Sequence, residues 1–325
     1  MEYRRRSRSP ISNWRVALAF LLSVHSVLSL SSPSSFTCFM MEGEGTHLSS
    51  PSHLLRKSSS PPRRSVRIIV VRHGQSEHNA QQSKLREQGM DWENIRQIML
   101  KETDSQSLVD ATLTPQGIEQ AKEASKEMSE KYANIKYVFV SPIRRAVDTA
   151  MILTSNYPTK DSLEWRLAPW AREVMSYVSD LAVYSYEHLA KYPFIDRSAL
   201  SANPRFWFLT YMVEDPHTGM KAALQKAAEK PNDLKHLART LATKGVESNF
   251  QVQVRAQQVR QQIADFVEEK QKQGVKVLDD EILLVSHRWF LLVLTGQQRL
   301  KADGTYEEIA QDWPNCGFKT LDIVV

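Results

Sequence analysis

The run Val66-Arg67-Ile68-Ile69-Val70-Val71 is followed at once by Arg72-His73-Gly74, and few folds accommodate that junction. β-Branched side chains suit an extended strand better than a helix, and a near-continuous run of them suits a strand buried on both faces. This strand ends in a cation, an imidazole and a glycine that lets the chain turn. Open α/β sheets bind their ligands at the C-terminal ends of the strands. The junction therefore brings charge and a potential nucleophile to the edge where such a fold works.

The rest of the chain alternates in the way such a sheet requires. Tyr137-Val138-Phe139-Val140 reads as a second strand, 163–167 as a short third, 281–286 as a fourth and 318–325 as the last. Thr114-Pro115 reads as a helix start, with threonine as N-cap and proline in the first turn, where its missing N–H costs nothing. Ile118, Ala121, Ala124 and Met128 then give that helix one apolar face, and Val252, Ala256, Val259, Ile263 and Phe266 do the same for a long helix after 248. Strands alternating with helices predict an α/β fold, a three-layer α/β/α sandwich around a mainly parallel sheet. Residues 174–246 are expected to form a helical insertion. Its aromatics, Tyr177, Trp207 and Phe208 among them, read as core rather than as a ligand cage.

Composition excludes several function classes. Residues 1–65 hold nine of the chain's 42 Lys/Arg and three of its 37 Asp/Glu. The tail is thus +6, and the remaining 33 basic and 34 acidic residues leave the body at −1. A basic folded face, which nucleic-acid binding wants, is not expected. There are only two cysteines, Cys38 and Cys316, and no Cys/His pair has metal-ligand spacing. No Walker or dinucleotide pattern occurs. No metal or cofactor is expected.

The tail has its own pattern. Arg4-Arg5-Arg6-Ser7-Arg8 precedes an apolar stretch from Val16 to Leu30, the layout of a secretory signal at 1–30. An uncleaved signal would act as a membrane anchor. Residues 31–65 are rich in serine and proline and read as a disordered linker. They also resemble the transit half of a bipartite plastid leader. Entry to the secretory pathway, with onward passage to a plastid as an extension, is the expectation; a cytoplasmic location is the alternative. Residues 66–325 are expected to be the catalytic domain. Composition says nothing about oligomeric state.

If the strands are parallel, the polar residues at their ends share one edge. The first ends in Arg72-His73, the second in Ser141 with Arg145 just beyond, and the fourth in Ser286-His287. Two arginines and two histidines would then face one crevice. Arginine forks suit tetrahedral oxyanions, and nearby cations keep an imidazole neutral and nucleophilic. A phosphoryl group is the natural guest. Glu173, after the third strand, is the candidate acid for the departing oxygen, with Glu164 and Glu247 as competitors. Glu247-Ser248 reads more simply as a helix start. His78, His188, His217 and His236 read as surface residues.

Arg72-His73-Gly74 after a Val-rich strand resembles the signature of the histidine phosphatase superfamily, with its phosphoglycerate-mutase-like fold. Leu113-Thr114-Pro115-Gln116-Gly117 with Gln120-Ala121, Ser141-Pro142 with Arg145-Ala146 and Thr149-Ala150, Arg172-Glu173, Leu284-Val285-Ser286-His287 and Asn315-Cys316 are similar to that family's further segments, in family order, across 66–325. The resemblance is to the branch whose acid lies in a separate segment from the second histidine. It implies phosphorylation of His73, phosphoryl-oxygen contacts from Arg72, Arg145, His287 and Asn79, and Glu173 as proton donor and then base. It favours Arg145 over the adjoining Arg144. One departure is Arg288-Trp289, where the family usually has glycine; this bulky pair would narrow the pocket mouth or add charge to it. The expected function is metal-independent hydrolysis of a small phosphate monoester. A phosphoglycerate-type mutase and an inactive phospho-ligand- or partner-binding member are the alternatives.

Overall fold

The computed structural model describes residues 64–102, 108–300, 306–308 and 313–325. The signal-type stretch at 1–30 and nearly all of the segment at 31–65 lie outside the described residues. In chain order the regular elements are β1 (Ser65–Arg72), α1 (Glu77–Glu87), α2 (Trp92–Met99), α3 (Pro115–Lys131), β2 (Ile135–Val140), α4 (Arg144–Thr154), β3 (Glu164–Leu167), α5 (Ser185–Leu189), α6 (Trp207–Thr210), α7 (Met220–Ala228), α8 (Asp233–Lys244), α9 (Asn249–Lys272), β4 (Glu281–Ser286), α10 (Arg288–Leu294), β5 (Gln298–Leu300), β6 (Tyr306–Glu308) and β7 (Phe318–Val324).

The main sheet has the order β3-β2-β4-β1-β7. β1, β2, β3 and β4 run parallel, and β7 closes the far edge antiparallel to β1. Successive strand residues point to opposite faces, and the apolar runs use both. Ile69, Val71, Val138, Val140, Leu283 and Val285 pack on one face with Ala121 and Met128 of α3 and Val147 and Ala150 of α4. Ile68, Val70, Phe139, Ile282 and Leu284 pack on the other with Val259, Ile263 and Phe266 of α9 and Phe290 and Leu291 of α10. The result is the expected three-layer α/β/α sandwich. Val66, Ile68, Ile69, Val70 and Val71 are all fully buried. At roughly 1.5–3 kcal/mol for each side chain, β1 is a main anchor of the core.

Two helix starts lie against the turn that leaves β1, where the Thr114 amide donates to the Gln75 carbonyl at 3.0 Å. Thr114 caps α3 by accepting from the Gly117 amide at 3.0 Å, with Pro115 as the first helical residue. Ser76 and Asn79 form a reciprocal capping box at α1. The 174–246 region is helical as expected, with Trp207, Phe208, Leu224, Leu237 and Leu241 joining the core on the α3/α4 side of the sheet. The small β5–β6 antiparallel pair has no counterpart among the strands expected from the sequence. Among the described residues no helix is long and apolar enough to cross a membrane.

Candidate active site

Parallel register brings the strand ends to one edge. Arg72 pairs with Ser286, and Val140 with both Val285 and Leu167. The ladder then runs one step further. The His73 amide donates to the Ser286 carbonyl, Ser141 to Val285, and Ala168 to Val140, at 3.0, 3.0 and 2.8 Å. His73, Ser141, His287 and the segment leading to Glu173 are thereby set side by side.

The turn at Gly74 needs its glycine because the chain packs against the start of α3. A Cβ on Gly74 would lie 2.5 Å from the Gly117 carbonyl oxygen, and one on Gly117 would lie 2.0 Å from that of Gln75. The two glycine-containing motifs are thus the two sides of one backbone contact. Gln120, from the second of these motifs, and Thr149, from the Ser141–Ala150 segment, secure the turn. The Gln75 amide donates to Gln120 Oε1 at 2.9 Å, and the Gly74 amide to Thr149 Oγ1 at 3.0 Å. Asn315 Nδ2 donates to the His73 carbonyl at 3.0 Å.

His73 is buried, and its Nδ1 lies 2.6 Å from the Gly74 carbonyl oxygen. A carbonyl only accepts, so Nδ1 carries the proton and Nε2 the lone pair. Arg145 Nε donates to that Nε2 at 3.2 Å. Burial, followed by the charges of Arg145 and Arg72, holds the His73 imidazolium well below the ordinary pKa. The ring is neutral at physiological pH. His287 is fully buried behind it, the ring centroids 5.1 Å apart. Its Nε2 pairs with Ser141 Oγ at 2.8 Å, while Nδ1 has no hydrogen-bond partner. Burial and then Arg145 depress its pKa as well.

Arg145 is buried and tied on three sides. Besides His73, it reaches the Ser179 carbonyl at 2.9 Å and Asp180 Oδ1 at 3.0 Å. Arg72 Nη1 donates to the Trp313 carbonyl at 2.5 Å. Arg144 turns away, donating to the Asp110 backbone carbonyl at 2.7 Å, so Arg145 is the one at the site. Glu173 is buried, and its Oε1 accepts from the Val174 and Phe290 amides at 2.9 and 3.2 Å. Burial and the neighbouring Asp180 carboxylate raise its pKa. Such a carboxyl is better prepared to hold a proton than an exposed glutamate.

Arg72, His73, Asn79, Arg145 and Glu173 line one cleft of about 200 Å³. His287 does not line it but packs behind His73. Asn79 spends its side-chain oxygen on the Ser76 amide and hydroxyl, at 3.2 and 3.0 Å. Only its Nδ2 is left to face a ligand.

Two histidine expectations need correction. His78 is buried rather than at the surface. It lines the cleft, its ring packs against Tyr177 at 4.6 Å, and its Nδ1 has no hydrogen-bond partner. His188 is also buried, 2.6 Å from Asp148 Oδ1. His217 is exposed as expected, and His236 is half-buried. Tyr177 is buried as expected, packed with Leu85, Ile95 and Met99, and it also lines the cleft. A signal for His78 was present. α1 buries only His78 and Leu85 and has no apolar stripe, and it lays His78, Gln82 and Arg86, each one turn apart, along the cleft. Asp180 had no such signal.

The competitors of Glu173 are otherwise engaged. Glu164 pairs with Arg166 and Lys270 at the half-exposed end of β3. Glu247 is fully enclosed between Arg172 and Arg255, at 2.8 and 2.9 Å. These two cations outweigh its burial and hold its pKa down at about 2. Arg255 also donates to the carbonyls of Trp170 and Arg172 at 2.7 and 2.8 Å, so the triad pins the segment that carries Glu173. Arg255 lies among Val252, Ala256 and Val259 on the buried face of α9. A charge on an apolar face was the available sign of it.

Residues 68–175 match the model of the histidine phosphatase superfamily (branch 1), which bears out the resemblance read from the motifs over that span. No curated relative matches the chain. Similar solved structures include a mycobacterial glucosyl-3-phosphoglycerate phosphatase, 20% identical, covering 80% of this chain and 91% of that chain with a TM-score of 0.41. Another is the phosphoglycerate mutase of Bacillus anthracis, 17% identical, covering 80% and 88% with a TM-score of 0.40.

Proposed function

We propose that this chain, whose residues 68–175 match the model of the histidine phosphatase superfamily (branch 1), hydrolyses a phosphate monoester through a phosphohistidine on His73. The family match supports chemistry of the phosphatase or mutase type. The observation that carries the finer reading is the hydrogen bond from His73 Nδ1 to the Gly74 carbonyl. It leaves Nε2 with its lone pair at the cleft, beside the guanidinium of Arg145.

In the first step Nε2 attacks phosphorus as the bond from phosphorus to the ester oxygen breaks. The electron pair of that bond goes to the leaving oxygen, which takes the proton held by Glu173. The cations of Arg72 and Arg145 offset charge on the equatorial phosphoryl oxygens. Arg145 exchanges its contact with Nε2 for one with the phosphoryl group. His287 Nδ1 is a further donor, provided the Ser141 hydroxyl donates to its Nε2. In the second step the Glu173 carboxylate takes a proton from water, whose oxygen attacks phosphorus. The phosphorus–nitrogen bond breaks, and its electron pair returns to Nε2. No step needs a metal.

A mutase would have to keep water out while the phosphoryl group waits on the histidine. The cleft here adjoins a wider groove, which favours hydrolysis. The test is direct. The full chain should release phosphate from p-nitrophenyl phosphate in EDTA, and His73→Ala should abolish release. A quench during turnover should trap an acid-labile, base-stable phosphoenzyme in wild type only. Activity retained by His73→Ala would refute this reading.

A further inference from the structure

The cleft that holds His73 is small, about 200 Å³. That lies below the roughly 300–1,000 Å³ typical of pockets that take a whole organic ligand. It suits a phosphoryl group and a few atoms more. Beside it lies a groove of about 780 Å³. The two share Arg86, Trp92, Val174, Ser176, Arg288 and Trp289 in their linings, so the cleft opens into the groove. Val246, which is exposed, lines the groove and not the cleft.

The shared wall has a specific form. The Arg288 guanidinium lies 4.5 Å from the centroid of the Trp289 ring, and that of Arg86 lies 5.7 Å from the Trp92 ring. The two indoles meet edge to face at 6.5 Å. Two cation–aromatic pairs, one from α10 and one from α1 and α2, thus join into a continuous wall beside the passage. Such stacked pairs present flat, polarisable surfaces as well as charge. They favour flat, ring-bearing groups through offset or edge-to-face contact. The bulky pair expected to narrow the mouth therefore forms one wall of a passage.

We infer that the groove receives the alcohol portion of the substrate, and that the preferred substrates are phosphate monoesters of bulky, ring-containing alcohols rather than of small polar ones such as glycerate. This rests on the phosphatase reading above and adds the substrate class to it. The phosphoryl group sits at His73, the ester oxygen near Glu173, and the ring system leaves over the contacting Trp92–Trp289 pair towards Val246.

The full chain should be assayed with (1-naphthyl)methyl phosphate and 3-phosphoglycerate, both esters of primary alcohols. A kcat/KM at least tenfold higher for the naphthylmethyl ester is expected, and Val246→Asp should cut that ratio about tenfold. Equal or reversed preference would overturn the inference while leaving the phosphatase reading standing. If neither ester nor p-nitrophenyl phosphate is turned over, the phosphatase reading falls. The groove is then decided by calorimetry with naphthylmethylphosphonate and methylphosphonate. At least tenfold tighter binding of the former, weakened by Val246→Asp, supports the groove site, and equal affinities overturn it.

Discussion

His73 and Glu173 are prepared in opposite directions by the same cause. Burial disfavours charge on both, which lowers the imidazole and raises the carboxyl. One group is left as a neutral base with its lone pair at the cleft, and the other is inclined to keep its proton. The proposed donor, Glu173, is needed only where the departing oxygen is a strong base. Glu173→Gln should therefore slow hydrolysis of an alkyl phosphate by roughly 100- to 10,000-fold, and slow p-nitrophenyl phosphate much less. Steady-state rates on the two esters check this; equal losses on both would show that Glu173 is not the donor. Arg145 illustrates a different dependence. Its side chain is aimed by Asp180, itself held by the Ser176 and Tyr177 amides at 3.1 and 2.9 Å. Asp180→Asn would leave the arginine in place with a weaker tether. The expected result is a higher KM with a smaller change in kcat.

The segment from Trp170 to Glu173 contains only a short 3₁₀ turn, yet it carries the proposed acid. What holds it is α9, through Arg255 and the Arg172–Glu247–Arg255 triad. All three members are buried. Removing one charge would leave the others uncompensated, which costs about 3–5 kcal/mol. Glu247→Gln should lower unfolding free energy in urea by about that amount and reduce kcat as Glu173 loses its support. Replacing the three together with apolar residues of similar volume should restore much of the stability but not the rate. A Glu247→Gln protein as stable as wild type would show that the triad is not what secures this segment. α1 and α10 are organised differently. Each begins directly beyond the end of a parallel strand or its turn, and each presents its first turns to the cleft.

The molecule as a whole encloses three histidines around one cleft, and this makes its stability sensitive to acid. Burial, then Arg145 and Arg72, hold His78 at about 3; His73 and His287 are also depressed. A depressed histidine contributes its full stability above its unfolded value of 6.5. That contribution is lost as pH falls through 6.5 towards the folded value, because the unfolded chain then binds the extra proton. Glu247 adds a similar loss only below 4.5. Glu173 and Asp180, raised by burial, act oppositely; their contribution is lost as pH rises through their folded values. Subtracting a His78→Phe variant from wild type isolates one histidine. Between about pH 6 and 4, wild type should lose roughly 1.4 kcal/mol more than the variant for each pH unit. Urea midpoints across that range check it, and a flat difference would show that His78 takes up a proton while folded.

The primary structure alone determined the five strands of the main sheet, the long helices between them and their order. The Val66–Val71 run, the Thr114-Pro115 start and the apolar stripe of α9 are local patterns set by backbone period and capping, and these patterns survive whatever packs around them. The strand-end rule then placed Arg72, His73, Arg145 and His287 at one edge, and the ordered motifs chose Arg145 over Arg144. Only the tertiary structure decided which side chains meet through space. It buried His78 and Tyr177 at the cleft, set Asp180 against Arg145 at 3.0 Å, and enclosed Glu247 between two arginines. It also opened the cleft into a groove walled by Trp92 and Trp289. Such partners lie far apart in the chain, on helices and turns whose mutual placement follows from packing the sheet's two faces, and no local periodicity records that distance.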